Sequence, residues 1–204
     1  VDRSGLINKV KIKLDEYTPE GVSLPFDEYI GPMLDESARE ILEKGPMHLL
    51  TPALIPIVSG EVTTILYDTT NNKAYIPVPA NWVRLHEVKF PLWERSVKKA
   101  ISTDNPAYAI QELIPGGYGR PSVVIRSTSV NGGAVSKYLE CSKVVASAVP
   151  STASYIKTAK PEELSDLLAE SLSWLCASKI LLIGGQGDKA KMAYEQFANS
   201  LSQT

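Results

Sequence analysis

Residues 164–183, LSDLLAESLSWLCASKILLI, constrain the fold more than any other stretch of this chain. Wound as a helix, they put Leu164, Leu167, Leu168, Leu172 and Leu175 on one side in the early turns. In the later turns Cys176, Ala177, Ile180, Leu181, Leu182 and Ile183 run almost all the way round. A helix that is apolar on most sides must be covered on most sides. Pro161, Glu162 and Glu163 are the residue types preferred in a first helical turn, which sets the expected start of the helix at 161.

The residues that follow raise the question of a nucleotide site. In KILLIGGQGDKAK, Gly185, Gly187 and Ala190 have the spacing G-x-G-x-x-A, which lets a backbone approach a pyrophosphate. That fingerprint needs a strand before it and an acidic residue about 20 positions beyond it. Here a helical pattern precedes the glycines, and the sequence given stops at Thr204. The expectation is therefore a helix stop at Gly184 and Gly185 and a new helix opening at Gly187 and Asp188. That last helix, about 188–202, sets Ala190, Ala193, Tyr194, Phe197, Ala198 and Leu201 on one stripe. Lys189 is followed by Ala190, so the phosphate-cradling G-x-x-x-x-G-K-[ST] pattern fails as well.

Two further helices are expected at the amino end. Leu6, Ile7, Val10, Leu14 and Tyr17 share a face up to Thr18-Pro19, and Ile30, Leu34, Ala38, Ile41 and Leu42 form a stripe within 25–44, ended by Gly45-Pro46. From 54 to about 148 the texture changes to β-branched and aromatic residues broken by Pro, Gly and Asn. VTTILYD and KAYIPVP flank TTNN as one hairpin. PSVVIRSTS and AVSKYLECSKVV flank VNGG as another, and VRLHEVKF and PLWERSV read as further strands. ASAVPSTASYIKTAK is small and polar and reads as a linker. The expected plan is α+β: helices at 1–53, an antiparallel β-rich insertion at 54–150, and a helical pair at 151–204 that completes a bundle with the first.

Chemistry-bearing patterns are sparse. His48 and His86 lack partners at zinc-ligand spacing, no G-x-S-x-G elbow occurs, and Asp35, Glu36 and Glu40 read as a solvated helix face. No metal and no cofactor is expected. Charged residues are 22% of the chain and the net charge is -2, so the whole chain has no basic field that would gather polyanions. Cys141 and Cys176 read as packed thiols. No run reaches the ~20 apolar residues that span a bilayer, and the beginning has no long apolar segment, so a soluble, cytoplasmically made protein without membrane contact is expected.

The remaining candidates are contact residues. Trp82, Arg84, Trp93 and Arg95 recur in NWVRLHEVKFPLWERSV, and Trp and Arg carry much of the energy of protein interfaces, with packing in the core the equal alternative for the two tryptophans. Tyr118 and Arg120 lie in the glycine-rich IPGGYGRPS, and Trp174, Leu175 and Ile180 lie on the apolar helix. A rival reading is a small ligand-binding domain or enzyme that uses the IPGGYGR loop beside Arg126 and Tyr138.

The order of these stretches resembles the head-tail connector, or adaptor, proteins of tailed bacteriophages, and most closely the ring proteins of crAss-like podoviruses. The likeness rests on GLINKVKIKLDEY, DESAREILEKGPMHLL, KAYIPVPANWVRLHEVKFPLWERSV, RPSVVIRS and LSDLLAESLSWLCASKILLIGGQGDKAKMAYEQFANSL, which span most of the chain. The resemblance implies a structural subunit of the virion neck, assembled in the host cytoplasm as a ring of twelve copies beneath the portal protein. Such a ring joins the capsid vertex to tail or second-ring proteins, and double-stranded DNA passes through it without sequence-specific binding. It implies no catalytic residue. Another head- or tail-completion protein would share the plan. In a head-to-tail ring, the apolar helix would be wrapped by neighbouring copies.

Overall fold

The computed structural model describes residues 1–17, 27–57, 65–113, 120–128 and 136–202. In chain order the helices are α1 (Arg3–Tyr17), α2 (Asp27–Lys44), α3 (Pro106–Leu113), α4 (Ala169–Ile183) and α5 (Gly187–Ser202). The strands are β1 (Ala53–Leu54), β2 (Leu66–Asp68), β3 (Lys73–Pro77), β4 (Trp82–Lys89), β5 (Ile101–Ser102), β6 (Val123–Thr128), β7 (Ser136–Ser142) and β8 (Thr152–Lys157). The fold is α+β. Both chain ends, Val1–Thr51 and Thr158–Thr204, build a helical unit, and Pro52–Lys157 forms a β-rich unit between them in sequence.

The helical unit is organised around α4, which packs against α1, α2 and α5. Leu6, Val10 and Leu14 bury the inner face of α1, and Ile30, Leu34, Ala38, Ile41 and Leu42 bury that of α2, as their helical spacing predicts. Every residue from Ser171 to Ser178 is buried, and so are Ile180 and Leu181. Each Leu or Ile withdrawn from water there stabilises the unit by roughly 1.5–3 kcal/mol. Serines and alanines between the large residues let the neighbouring helices approach. The Ser173 and Ser178 hydroxyls donate back to the Glu170 and Leu175 carbonyls, both at 2.8 Å, so neither is stranded in the core. The cover expected from neighbouring copies thus comes from the same chain.

The entry to α4 also differs from expectation. Pro161–Glu163 and Asp166–Leu168 are separate 3-10 turns, and the α-helix starts only at Ala169. Leu164 between them is extended, with ψ 155°, and the Ser165 hydroxyl accepts the Leu167 N–H at 3.4 Å, so local side-chain bonding displaces an early helical turn. The carboxyl end follows the sequence reading. The Gln186 N–H donates to the Leu181 carbonyl at 2.9 Å and the Gly185 N–H to that of Leu182 at 3.1 Å. Gly185 has φ 71°, which closes the paired bonds of a left-handed helix stop before α5 begins.

In the β-rich unit, one sheet runs β2-β3-β7-β6-β5, antiparallel except for the β5/β6 pair, and a second runs β1-β8-β4, all antiparallel. Ala74 and Ile76 of β3 point inward while Lys73, Tyr75 and Pro77 do not, the alternation of a half-buried strand. The two sheets share one core that includes Ile76, Leu85, Val88, Val123, Leu139 and Tyr155. The β2/β3 hairpin forms as expected, with Asp68 opposite Lys73 and Asn72 at φ 52° in the turn. Strands β6 and β7 pair as expected too, although VNGG lies outside the described residues.

Two segments depart from their sequence reading. Residues 152–157, expected as linker, are the middle strand of the three-stranded sheet, where pairing on both sides buries Ala153, Ser154, Tyr155 and Ile156. PLWERSV is not a strand. Pro91 lacks an N–H, the Trp93 N–H turns back to the Phe90 carbonyl at 3.0 Å, and only Val97 bridges to Val88.

Candidate interaction surfaces

Strand β4 carries the first pair of expected contact residues. The Trp82 indole lies half-buried and stacked on Tyr155, with ring centroids 5.6 Å apart and planes 10° apart, and the Tyr155 hydroxyl donates to Asn81 Oδ1 at 2.8 Å. Arg84 is partly buried, and that burial pushes its pKa below the ordinary arginine value. Trp93 is a correction. It is only 2% exposed, its ring tilts against Phe90 at 5.1 Å, and its indole N–H donates to the Lys143 carbonyl at 3.0 Å. A ring that fills the core and satisfies its one polar atom there is a packing residue.

Trp174, Leu175 and Ile180 are corrections as well, with exposures of 8%, 2% and 0%. The remaining face of Trp174 is covered by the Lys13 ammonium, 4.2 Å from the ring centroid. Arg95 and Arg120 are exposed, while Tyr118 lies outside the described residues. The nine expected contact residues therefore do not share one kind of environment. Two are exposed, two lie half-buried on β4, four are core, and one is not described.

What the sequence reading missed is how charge divides between the units. The β-rich unit has eleven Lys and Arg against seven Asp and Glu, and the helical unit ten against sixteen. The net of -2 conceals this division. Much of the positive charge gathers where residues 89–99 and 143–151 meet. The Ser151 N–H and hydroxyl both donate to the Lys89 carbonyl, at 2.8 and 3.1 Å, and the Trp93–Lys143 bond adds a third tie. Lys89, Arg95, Lys98, Lys99 and Lys143 lie on these segments with Glu94 as the single acid, and Leu92, Val145 and Val149 are 54%, 43% and 55% exposed.

A second missed feature is a buried carboxylate in the five-stranded sheet. Glu140 of β7 is 3% exposed and accepts from Lys73 Nζ of β3 at 2.6 Å and Arg126 Nη1 of β6 at 2.8 Å. Burial opposes the charge on Lys73, but the hydrogen bond and charge of Glu140 outweigh it and hold the Lys73 pKa above its ordinary value. The Glu140 hydrogen bond likewise raises Arg126. Tyr75 and Tyr138 meet edge to face at 6.3 Å. This ion triad ties three strands in register. Arg126 and Tyr138, considered above as walls of a ligand site, are engaged in it and in the tyrosine pair. Residues 114–119 of the glycine-rich loop lie outside the described residues.

In the helical unit, a groove of about 390 Å³ runs between α2, α4 and α5, lined by Leu175, Leu182, Ala190, Tyr194, Glu40 and Lys179 among others. Leu182 and Tyr194 remain 65% and 52% exposed. The acidic cluster beside it is engaged by cations. Asp35 accepts from Arg3 Nη1 and Nη2 at 2.8 and 2.9 Å, and Lys179 reaches Glu36 at 2.9 Å and Glu40 at 3.0 Å. The hydrogen bond from Arg3 lowers the Asp35 pKa, and those from Lys44 and Lys179 lower that of Glu40.

The polar chemistry elsewhere is structural. His86 Nδ1 lies 2.9 Å from the buried Ser154 hydroxyl and links β4 to β8, and Ser154 is 5% exposed. Both cysteines are buried and free. Burial raises the Cys141 thiol and pushes Cys176 up to about 12, far from the thiolate form that reactivity requires. Among the described residues, no group of His, Cys, Asp and Glu could hold a metal ion, and no helix is long and apolar enough to cross a membrane. No family model matches the sequence, and no curated protein matches it either.

Proposed function

We propose that this protein is a non-catalytic subunit of a tailed-bacteriophage neck, a head-tail connector that forms a ring beneath the portal and joins the capsid vertex to the tail. The reading rests on the resemblance given above, and the fold is consistent with it: both chain ends make a helical bundle and the middle makes a mostly antiparallel β-rich unit. The observation that carries it is the contact surface of the helical unit. Its core is closed by its own helices, yet Leu182, Ile183, Met192 and Tyr194 at the end of α4 and along α5 stay 52–65% exposed, and Leu182 and Tyr194 line an open groove. Such apolar exposure beside a groove marks a surface made to meet protein.

In this role the protein has no turnover. It holds a channel open for DNA and offers unlike faces to its neighbours, as a heterologous ring requires. Native mass measurement of the purified protein, alone and mixed with portal protein, tests the reading. A closed multimer or a stoichiometric portal complex supports it, and a monomer that binds no portal refutes it.

A further inference from the structure

The end of the β-rich unit formed by residues 89–99 and 143–151 is tied down by hydrogen bonds yet leaves a mixed surface in water. Besides the ties from Ser151 to Lys89 and from Trp93 to Lys143, the Tyr67 hydroxyl donates to the Ala148 carbonyl and the Val144 N–H to that of Asn72, both at 2.9 Å. Lys143 and Ser147 have φ 58° and 66°, a left-handed region that residues with side chains seldom occupy, so these ties rather than local preference impose the shape of the segment. On that frame the aliphatic residues Leu92, Val145 and Val149 face solvent among five Lys and Arg. Glu94 is the one acid on the two segments, and Glu87 stands opposite Lys98 beside the Val88–Val97 bridge. Arg95, Lys98 and Lys99 are exposed and pair with no carboxylate among the described residues.

We infer that this end of the β-rich unit binds a segment of another protein in which Asp and Glu are interspersed with Leu, Ile or Val. Unpaired cations call for carboxylates, and the aliphatic side chains between them call for apolar groups in the same segment. Other occupants fit less well. The contacts of a duplex nucleic acid are to phosphates and would leave Leu92, Val145 and Val149 in water, with Glu94 set against a polyanion. A bilayer interface takes aromatic rings at the headgroup level, and here Phe90 and Trp93 are turned into the core. A second copy of this chain is a poor source of carboxylates, because Asp35, Glu36, Glu40 and Glu43 of α2 are already held by its own Arg3, Lys179, Lys44 and Arg39. The inference goes beyond the ring reading and holds whether or not copies of the chain close into a ring.

The test selects binders to the immobilised full chain from a displayed library of random peptides, then titrates the enriched peptides, a duplex DNA and phosphatidylserine vesicles against it. The enriched sequences are expected to combine acids with aliphatic residues. The triple variant Arg95→Glu, Lys98→Glu, Lys99→Glu keeps the wild-type melting temperature, since all three side chains are exposed, and binds these peptides roughly a hundredfold more weakly. Leu92→Ser combined with Val149→Ser, both exposed, weakens binding roughly tenfold by removing the apolar share. That double variant keeps the salt dependence of wild type, because the ionic share that salt screens is intact. Failure to enrich any peptide, enrichment without acids and aliphatics together, or peptides that bind the triple variant as tightly as wild type overturn the inference. Duplex DNA or vesicles that bind wild type more tightly than the peptides do, and lose that affinity in the triple variant, overturn it too and assign the surface to nucleic acid or to a bilayer. None of these results bears on the ring reading, which the native mass measurement above decides separately.

Discussion

Replacing Ile180 by Ala tests whether α4 is covered by its own chain. Ile180 is fully buried on a helix that α1, α2 and α5 surround, so the substitution removes its buried methyl and methylene groups and leaves a cavity the three neighbours cannot wholly fill. Such truncations cost about 2–5 kcal/mol. In a unit of about a hundred residues each kcal/mol lowers the midpoint by about 4–8 °C, which gives an expected drop of roughly 8–40 °C. The assay is far-ultraviolet circular dichroism on heating, run at two protein concentrations about tenfold apart. A core closed within the chain gives the same drop at both. A drop below about 3 °C, or one that shrinks as concentration rises, would mean that other copies supply the cover, and the packing account would fail.

Four further outcomes follow from individual sites. Gly185→Ala forces a side chain into a left-handed backbone and should cost about 1–2 kcal/mol in denaturant unfolding, while Gly187→Ala, with open space around it, should stay within about 0.5 kcal/mol of wild type. Glu140→Ala removes the buried carboxylate that Lys73 and Arg126 share while leaving both cations partly in water, and should cost about 1–3 kcal/mol, read in the same assay. Asp35 and Glu40 have folded pKa values below their ordinary 3.8 and 4.5, so the stability they confer is full above those values and lost as pH falls through the lowered ones. Lys179 holds Glu40 and not Asp35, so Lys179→Met should weaken only the Glu40 share of that loss in unfolding curves taken between about pH 6 and about pH 2. Cys141 and Cys176 should resist a thiol reagent in the folded protein and react fully once it is unfolded, as a colorimetric thiol titration would show.

The one-sided helices were legible because a single apolar stripe has a single physical meaning, and Leu6, Val10, Ile30, Leu34 and Ala193 are buried as their spacing implies. The stop at Gly184-Gly185 was legible for a similar reason, since few residues other than glycine close a helix at positive φ. Helix α4 was readable as covered but not as covered by whom, because an apolar circumference looks the same whether its neighbours belong to one chain or several. That ambiguity placed Trp174, Leu175 and Ile180 at an interface. Trp93 misled because charged neighbours in sequence say nothing of which way a turn after Pro91 throws the ring. Strand β8 was hidden by its composition: Thr152, Ala153 and Ser154 carry little apolar signal, and β1 and β4 supply the pairing that makes them a strand. The Lys73–Glu140–Arg126 triad needs strand order before it can be seen, and the separation of charge becomes visible only when residues are counted unit by unit.

The most direct measurement is electron microscopy of the purified protein at low salt. Closed rings of one rotational symmetry are the expected image. Fields of isolated monomers, or two-fold dimers joined through identical surfaces, would contradict the account.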